Sequence, residues 1–255
     1  MIDVTIREIA GLEPAIYSMR NAWSSWDKSD SSYLMCYEDP EGGPDIVCPS
    51  CPYKCESTQT CYDAEQYSIY SGSHSRFYVG PADRELAMNL RNAGTDHRKY
   101  LRMIEVWMDI NAPLYWWKEF DTYKVGTVAN STSTMHTIAK KEFTLDDFSH
   151  EHLHPDTTLC LQRTIDNLNI YRNLYLEKKD KRHWWQMIQL LPSSYNQLRT
   201  IKLSYEVLAN IYKSRRGHRL DEWRDFCKWI ETLPYSRFIT GVEDNDEQTE
   251  AATDE

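Results

Sequence analysis

Two stretches of the sequence gather the residue types that hold nucleotides. The first runs from Ala112-Pro-Leu-Tyr-Trp-Trp-Lys-Glu-Phe-Asp-Thr-Tyr-Lys124 to His136, and the second from Leu191-Pro-Ser-Ser-Tyr-Asn-Gln-Leu-Arg199 to His218. Each begins with Pro behind an apolar residue and is expected to continue as an aromatic-rich helix with Lys, Arg, Asn and Tyr along one side. Arg and Lys hold phosphate, and flat aromatic faces stack on bases or on a ring cofactor. Two ordinary amphipathic core helices would carry the same pattern.

A second chemistry is written in cysteine. Cys48, Cys51, Cys55 and Cys61 have the spacing C-x2-C-x3-C-x5-C, with Cys36 upstream as an alternate. Four thiolates can enclose a tetrahedral Zn²⁺, and a metal supplies folding energy that this apolar-poor insert cannot supply itself. Structural zinc is therefore the expectation, with an iron–sulfur cluster and disulfides or free thiols as the alternatives. Cys160 and Cys227 sit in helical patterns and are expected in the core.

Weaker candidates surround these. His150, His152 and His154 alternate before Pro155 and read as a solvated loop rather than a ligand set. Asp146 and Asp147 read as helix-start acids. The run Thr95-Asp-His97-Arg98-Lys-Tyr100 sits where an anion could bind, or forms a solvated turn. The sequence has no P-loop, no G-x-G-x-x-G, no G-x-S-x-G and no H-E-x-x-H.

These residues need elements to position them. A strand is expected over 2–9, followed by a helix through about Trp23, a polar turn at 24–32 and the insert at 36–62. Asp83 is placed to cap a helix ending near Ala93, with Gly94 closing it. From Met103 to Ile110 a strand should bury Ile104, Val106, Met108 and Ile110 on one face. Pro113 opens a helix, 126–150 reads as loop, and helices follow at roughly 156–178, 181–190, 194–214 and 220–232. Strands combined with this many helices indicate α+β. The expected organisation is one domain over 1–241, carrying the Cys-rich insert, with an acidic disordered tail at 242–255.

Composition narrows the partners. The net charge is −10, but the tail holds seven of the 39 acids and no base, which leaves 32 acids against 29 basic residues. A body so near neutrality is a poor general DNA-backbone binder. No apolar run approaches the ~20 residues of a spanning helix, and the first residues read as a strand rather than a signal peptide, so a cytoplasmic protein is expected. Nine Trp and 17 Tyr exceed what one core of this size hides, which points to subunit contact.

Taken in order, these parts resemble the flavin-dependent thymidylate synthases, and in particular a divergent, phage-associated branch with Trp116-Trp-Lys-Glu-Phe-Asp-Thr-Tyr-Lys124. The matching parts are Met19-Arg-Asn-Ala-Trp-Ser-Ser-Trp26, His97-Arg-Lys-Tyr100, Ala112-Pro113, Leu191-Pro192, Asn210, Arg215 and His218. Where that family has Arg-His-Arg-x-x-Ser, this chain has Thr122-Tyr-Lys-Val-Gly-Thr127. The resemblance covers most of the chain outside the insert and the tail. It implies a homotetramer with shared sites, FAD, NADPH, methylene-tetrahydrofolate and dUMP, and transfer of a one-carbon unit to C5 of the uracil. It implies Arg215 and Lys124 near the nucleotide, with Arg199 and Tyr123 as further substrate contacts. It places Ser25, His97, Arg98, Asn210 and His218 near flavin. Two other outcomes stay open: a different modification such as hydroxymethylation, and a nucleotide-binding protein that has lost the flavin.

Overall fold

Alternating side chains build the central sheet. In the computed structural model, which describes residues 2–35 and 75–241, strand β1 (Asp3–Ala10) and strand β4 (Glu105–Pro113) belong to a sheet with β6 (Asn196–Ser204) and β5 (Val128–Ser131), in the order β1-β4-β6-β5. On β4 the residues Val106, Met108, Ile110 and Ala112 are fully buried while Glu105, Trp107, Asp109 and Asn111 between them are not, which is the expected alternation. A second sheet pairs β2 (Ser32–Met35) antiparallel with β3 (Ser75–Tyr78), with Ser32 opposite Tyr78. The Cys-rich insert, and with it the proposed ligands Cys48, Cys51, Cys55 and Cys61, lies outside the described residues, as does the acidic tail.

The helices are α1 (Leu12–Met19), α2 (Pro81–Asn92), α3 (Leu114–Phe120), α4 (Thr134–Thr137), α5 (Pro155–Lys178), α6 (Lys181–Leu190), α7 (Tyr205–Arg215), α8 (Asp221–Glu231) and α9 (Arg237–Thr240). None of the described helices is long and apolar enough to cross a membrane. The chain packs as two compact units, one from residues up to 5 with 109–124 and 128–201, the other from 6–108, 125–127 and 202 onward.

In the first unit, α5 and α6 close over a core of Ile138, Phe143, Phe148, Leu161, Ile165, Leu168 and Met187. Asn169 ties the preceding loop to α5, accepting from the Phe143 amide at 2.9 Å and donating to the Phe143 carbonyl at 2.8 Å. The Asp180 carboxylate caps α6 through the Arg182 amide at 2.8 Å. In the second unit, α7 is the central helix and buries Tyr205 through Ala209, Ile211 and Tyr212. Against it α8 turns Trp223, Phe226, Cys227 and Ile230 inward, at helical spacing.

A polar hub anchors α1 to α2. The Arg20 guanidinium donates to the Asp83 carboxylate at 2.7 Å, and the Ser29 and Ser31 hydroxyls donate to its other oxygen. Asp83 is therefore not the cap of α2. That role falls to Asp30, which accepts from the Ala82 and Asp83 amides at 2.8 and 3.1 Å. Gly80 lies so close that a Cβ there would come within 2.4 Å of Asp30, so only glycine admits this cap. Burial opposes ionisation of Asp83, but the hydrogen bonds from Ser29, Ser31 and Arg20 outweigh it and hold the carboxyl below its ordinary range.

Four expectations are corrected. The helix expected over 194–214 is strand β6 followed by α7, with Gln197, Ile201 and Leu203 buried at the period-2 spacing of a strand. The loop expected over 126–150 contains β5 and α4, elements too short and too exposed to show an apolar pattern. The first helix stops at Met19, and a 3-10 turn covers Asn21–Trp23. Cys227 is buried as expected, but Cys160 is exposed on α5, whose apolar residues occupy both of its sides.

Candidate functional site

The two aromatic, basic stretches do meet, inside the first unit. The first amides of α3 are satisfied by the second stretch: Leu114 N–H donates to the Tyr195 carbonyl and Tyr115 N–H to the Ser193 carbonyl, both at 3.0 Å. The Trp117 indole N–H then donates to the Gln197 carbonyl at 3.0 Å. Arg199 lies across this junction, with its guanidinium 4.2 Å from the centre of the Trp117 ring. Its Nε donates to Gln197 Oε1 at 3.0 Å and its Nη1 to Asp121 Oδ1 at 2.8 Å. Arg199 is thus on a strand, and it holds the α3 segment to β6 through two contacts, with Trp117 and Asp121, while its bond to Gln197 stays within β6. Tyr123 and Lys124 follow α3 directly, Tyr123 half-buried with its ring 6.4 Å from Phe120 and Lys124 exposed.

Replacing Arg199 with Ala removes the stacked cation and both hydrogen bonds, and is expected to cost about 1–3 kcal/mol in folding free energy. Lys at the position cannot reproduce the planar fork, so it should recover less than half of that loss. Denaturant unfolding of the three proteins measures this. Equal stabilities would show that the Arg199 contacts are incidental.

In the second unit, two of the expected flavin residues come together around a residue that the sequence analysis did not single out. Arg98 Nη2 donates to Glu206 Oε1 and to Asn210 Oδ1, both at 3.0 Å, and Arg98 Nε lies 2.9 Å from Glu206 Oε2. Glu206 is in the first turn of α7, one turn before Asn210, so both side chains face the same way. That i, i+4 relation was visible in the sequence once α7 was known to start at Tyr205. Arg91 adds a second cation: its Nη2 donates to the Ile239 carbonyl at 3.0 Å, and its buried Nε has no hydrogen-bond partner among the described residues. Burial, and then the positive charge of Arg98, hold the Arg91 guanidinium below its usual proton affinity. Glu206, which pairs with Arg98, also acts on Arg91 electrostatically, so two guanidinium groups stand near a single carboxylate.

Arg215 and His218 form the other cluster of this unit. The Arg215 guanidinium lies 4.7 Å from the centre of the buried Trp223 ring, and the His218 ring meets the same indole edge-on at 6.3 Å. His218 Nδ1 accepts from the Leu220 amide at 3.2 Å. Ser25 is half-buried between two 3-10 turns and His97 is exposed, and among the described residues no side-chain hydrogen bond links either to these clusters.

The first unit also contains a cavity of about 390 Å³ that the sequence gave no sign of, because its walls come from five short segments between Asn111 and Leu198. His150, His152 and His154 do not converge, and no metal-binding group of His, Cys, Asp or Glu exists among the described residues. Asp146 and Asp147 lie in a 3-10 turn where Asp147 closes a capping box with Thr144.

No protein-family model matches the sequence, and neither does any curated protein. Solved structures do match. Flavin dependent thymidylate synthase ThyX from Helicobacter pylori, complexed with FAD and dUMP, superposes with a TM-score of 0.60 at 15% identity, over 94% of this chain and 98% of that one. The fold is that of the flavin-dependent thymidylate synthases. A UMP/dUMP methylase, PolB from Streptomyces cacaoi, bound with 5-Br UMP, follows with a TM-score of 0.52 at 11% identity, over 94% and 95% of the two chains. The resemblance read from the sequence and the fold therefore agree. The departures at Thr122, Tyr123, Lys124 and Thr127 all lie past the C-terminal end of α3.

Proposed function

We propose that this chain is a flavin-dependent enzyme that transfers a one-carbon unit to C5 of dUMP. The observation that carries the reading is the match in fold, over 94% of the chain, to a synthase complexed with FAD and dUMP. The similar fold of a UMP/dUMP methylase supports a pyrimidine nucleotide as the thing modified.

FAD is held on this reading by the second unit. Arg91 and Arg98, two guanidinium groups against the single carboxylate of Glu206, suit its pyrophosphate, and Asn210 offers an amide beside them. Ser25, His97 and His218 complete the flavin contacts. When bound, the flavin would supply hydride transfer, with NADPH as the reductant and methylene-tetrahydrofolate as the one-carbon donor. The chain's own residues bind, orient and exclude water. Arg215 and Lys124 are offered to the nucleotide, Tyr123 lies beside Lys124, and Arg199 acts by fixing α3 against β6. The sites are shared between copies in a cytoplasmic homotetramer. Zinc in the Cys48–Cys61 insert has a structural role in this scheme.

Purification without added cofactor tests the flavin half. The protein should be yellow, with absorbance near ~450 nm and FAD released on denaturation. A colourless protein that binds dUMP would instead be a nucleotide-binding relative without the flavin. Metal analysis of the same sample should give about one zinc per chain.

A further inference from the structure

We propose that the acidic segment 242–255 is a built-in competitor for the cation pair Arg91 and Arg98, which its carboxylates occupy when no phosphate-bearing ligand is bound. The proposal rests on the reading above that this pair holds the FAD pyrophosphate, and it adds a regulation of the same site from within the chain.

The pair carries more positive charge than its neighbours neutralise. Glu206 faces Arg98 with both of its oxygens and acts on Arg91 only electrostatically. Arg91 Nη2 donates to the Ile239 carbonyl at 3.0 Å, Nη1 reaches Asn92 Oδ1 only at 3.4 Å, and the buried Nε has no hydrogen-bond partner. None of these partners is a carboxylate, so Arg91 forms no ion pair among the described residues. Tyr100, which also acts on Arg91, brings no charge. Its buried hydroxyl donates to the Ala87 carbonyl at 2.9 Å, and burial raises its proton affinity.

The course of the chain decides which anion is nearest. Helix α9 ends at Gly241, whose φ of +72° is left-handed and whose amide donates to the Arg237 carbonyl at 2.8 Å. A Cβ on Gly241 would fall 2.1 Å from the central carbon of the Arg91 guanidinium. The backbone therefore rests directly on that cation, and glycine is required there both by the turn and by the contact. The next residues are Val242-Glu-Asp-Asn-Asp-Glu247. They lie outside the described residues, but chain geometry limits how far they can be. An extended chain spans ~3.3–3.6 Å per residue, so Glu243 and Asp244 begin no more than roughly 7 and 11 Å from Gly241. Groups tethered this closely act at effective concentrations on the order of millimolar. The segment holds seven acids and no base, so it brings no cation of its own to satisfy them.

Strength sets the outcome of the competition. A single carboxylate on a partly exposed guanidinium is a weak pair. A pyrophosphate offers several acceptor oxygens to the planar forks at once. The segment therefore yields to FAD and lowers its affinity rather than excluding it.

A glutamate-specific endoprotease reads the segment in the full chain without any substitution. Cleavage after Glu243 and Glu247, followed by mass spectrometry, should be about two- to fivefold faster with saturating FAD than with the flavin removed. Inorganic pyrophosphate should act in the same direction. Flavin titration gives the reciprocal effect. The triple variant Glu243→Gln, Asp244→Asn, Asp246→Asn should bind FAD about two- to fivefold more tightly at low salt, and the gain should fade towards ~1 M salt, where the screening length is ~3 Å. Glu142→Gln, Asp166→Asn, Glu177→Gln removes three exposed acids of the first unit and controls for net charge; it should give no gain. Equal cleavage with and without ligand, or equal FAD affinities for the two triple variants, would overturn the proposal while leaving the flavin reading intact. A protein that binds no FAD but exposes the segment on adding pyrophosphate would keep the competition and overturn the flavin reading. Cleavage indifferent to both ligands in a protein that binds neither would overturn both.

Discussion

Replacing Asp83 with Ala is expected to lower the folding free energy by about 3–5 kcal/mol. The carboxylate is fully buried and the Arg20 side chain facing it is only 7% exposed, so the variant leaves a buried cation without its counter-charge. The hydroxyls of Ser29 and Ser31 lose their acceptor in the same step. Asp83→Asn keeps the shape but not the charge, and should fall between the two. The pH dependence follows from the direction of the shift. The Asp83 carboxyl ionises more readily folded than unfolded, so its stabilisation is present above the unfolded value of about 3.9 and is lost as pH falls through the lower folded value. Wild-type melting temperature should therefore drop as the pH is taken below about 4, with a steeper slope than in Asp83→Asn. A variant as stable as the wild type at neutral pH would show that the hub is dispensable.

Glu206→Ala should be of similar size, about 3–5 kcal/mol, for a related reason. Arg98 and Glu206 are 11% and 9% exposed, and among the described residues Arg98 otherwise donates only to Asn210. Glu206→Gln retains an oxygen for Arg98 and should recover part of the loss, leaving about 1–3 kcal/mol. The two variants also carry a functional readout. If Glu206 sets the position of Arg98 for FAD, the flavin affinity of Glu206→Gln should drop more than its stability does. Thermal unfolding and flavin titration on the same samples give both numbers. Unfolding within about 0.5 kcal/mol of wild type for Glu206→Ala would remove the ion pair from any account of the site.

How far the sequence revealed this molecule depends on whether information was local. Strand β4 was legible because Val106, Met108 and Ile110 alternate cleanly with polar or half-buried neighbours. The bounds of α5 and α6 were legible because Pro155 and Asp180 mark their starts. Strand β6 was not, because Leu198, Ile201, Tyr205 and Leu208 fall at helical spacing, while the position that completes the strand pattern is the buried polar Gln197. Its Nε2 donates to the Thr132 carbonyl at 2.7 Å, a partner 65 positions away. The Asp83 hub depends on Arg20, Ser29 and Ser31 at separations of 63, 54 and 52 residues, so its local appearance as a helix cap was misleading. The site divides in the same way. Arg98 and Asn210 were named from the resemblance and do come together, but their link through Glu206 required the structure. The contacts that bring the two aromatic stretches together, from Leu114, Tyr115 and Trp117, go to backbone carbonyls, which residue types alone do not reveal.

The account as a whole depends on the fate of the pyrimidine. The most direct measurement is mass spectrometry of the nucleotide after incubation of the purified protein with FAD, NADPH, methylene-tetrahydrofolate and dUMP. The expected product is dUMP with a methyl group in place of the hydrogen at C5, formed only when the flavin and the folate are both present. A hydroxymethyl product would keep the site and change the reaction. Unmodified dUMP recovered from a flavin-loaded protein with all components present would contradict the account.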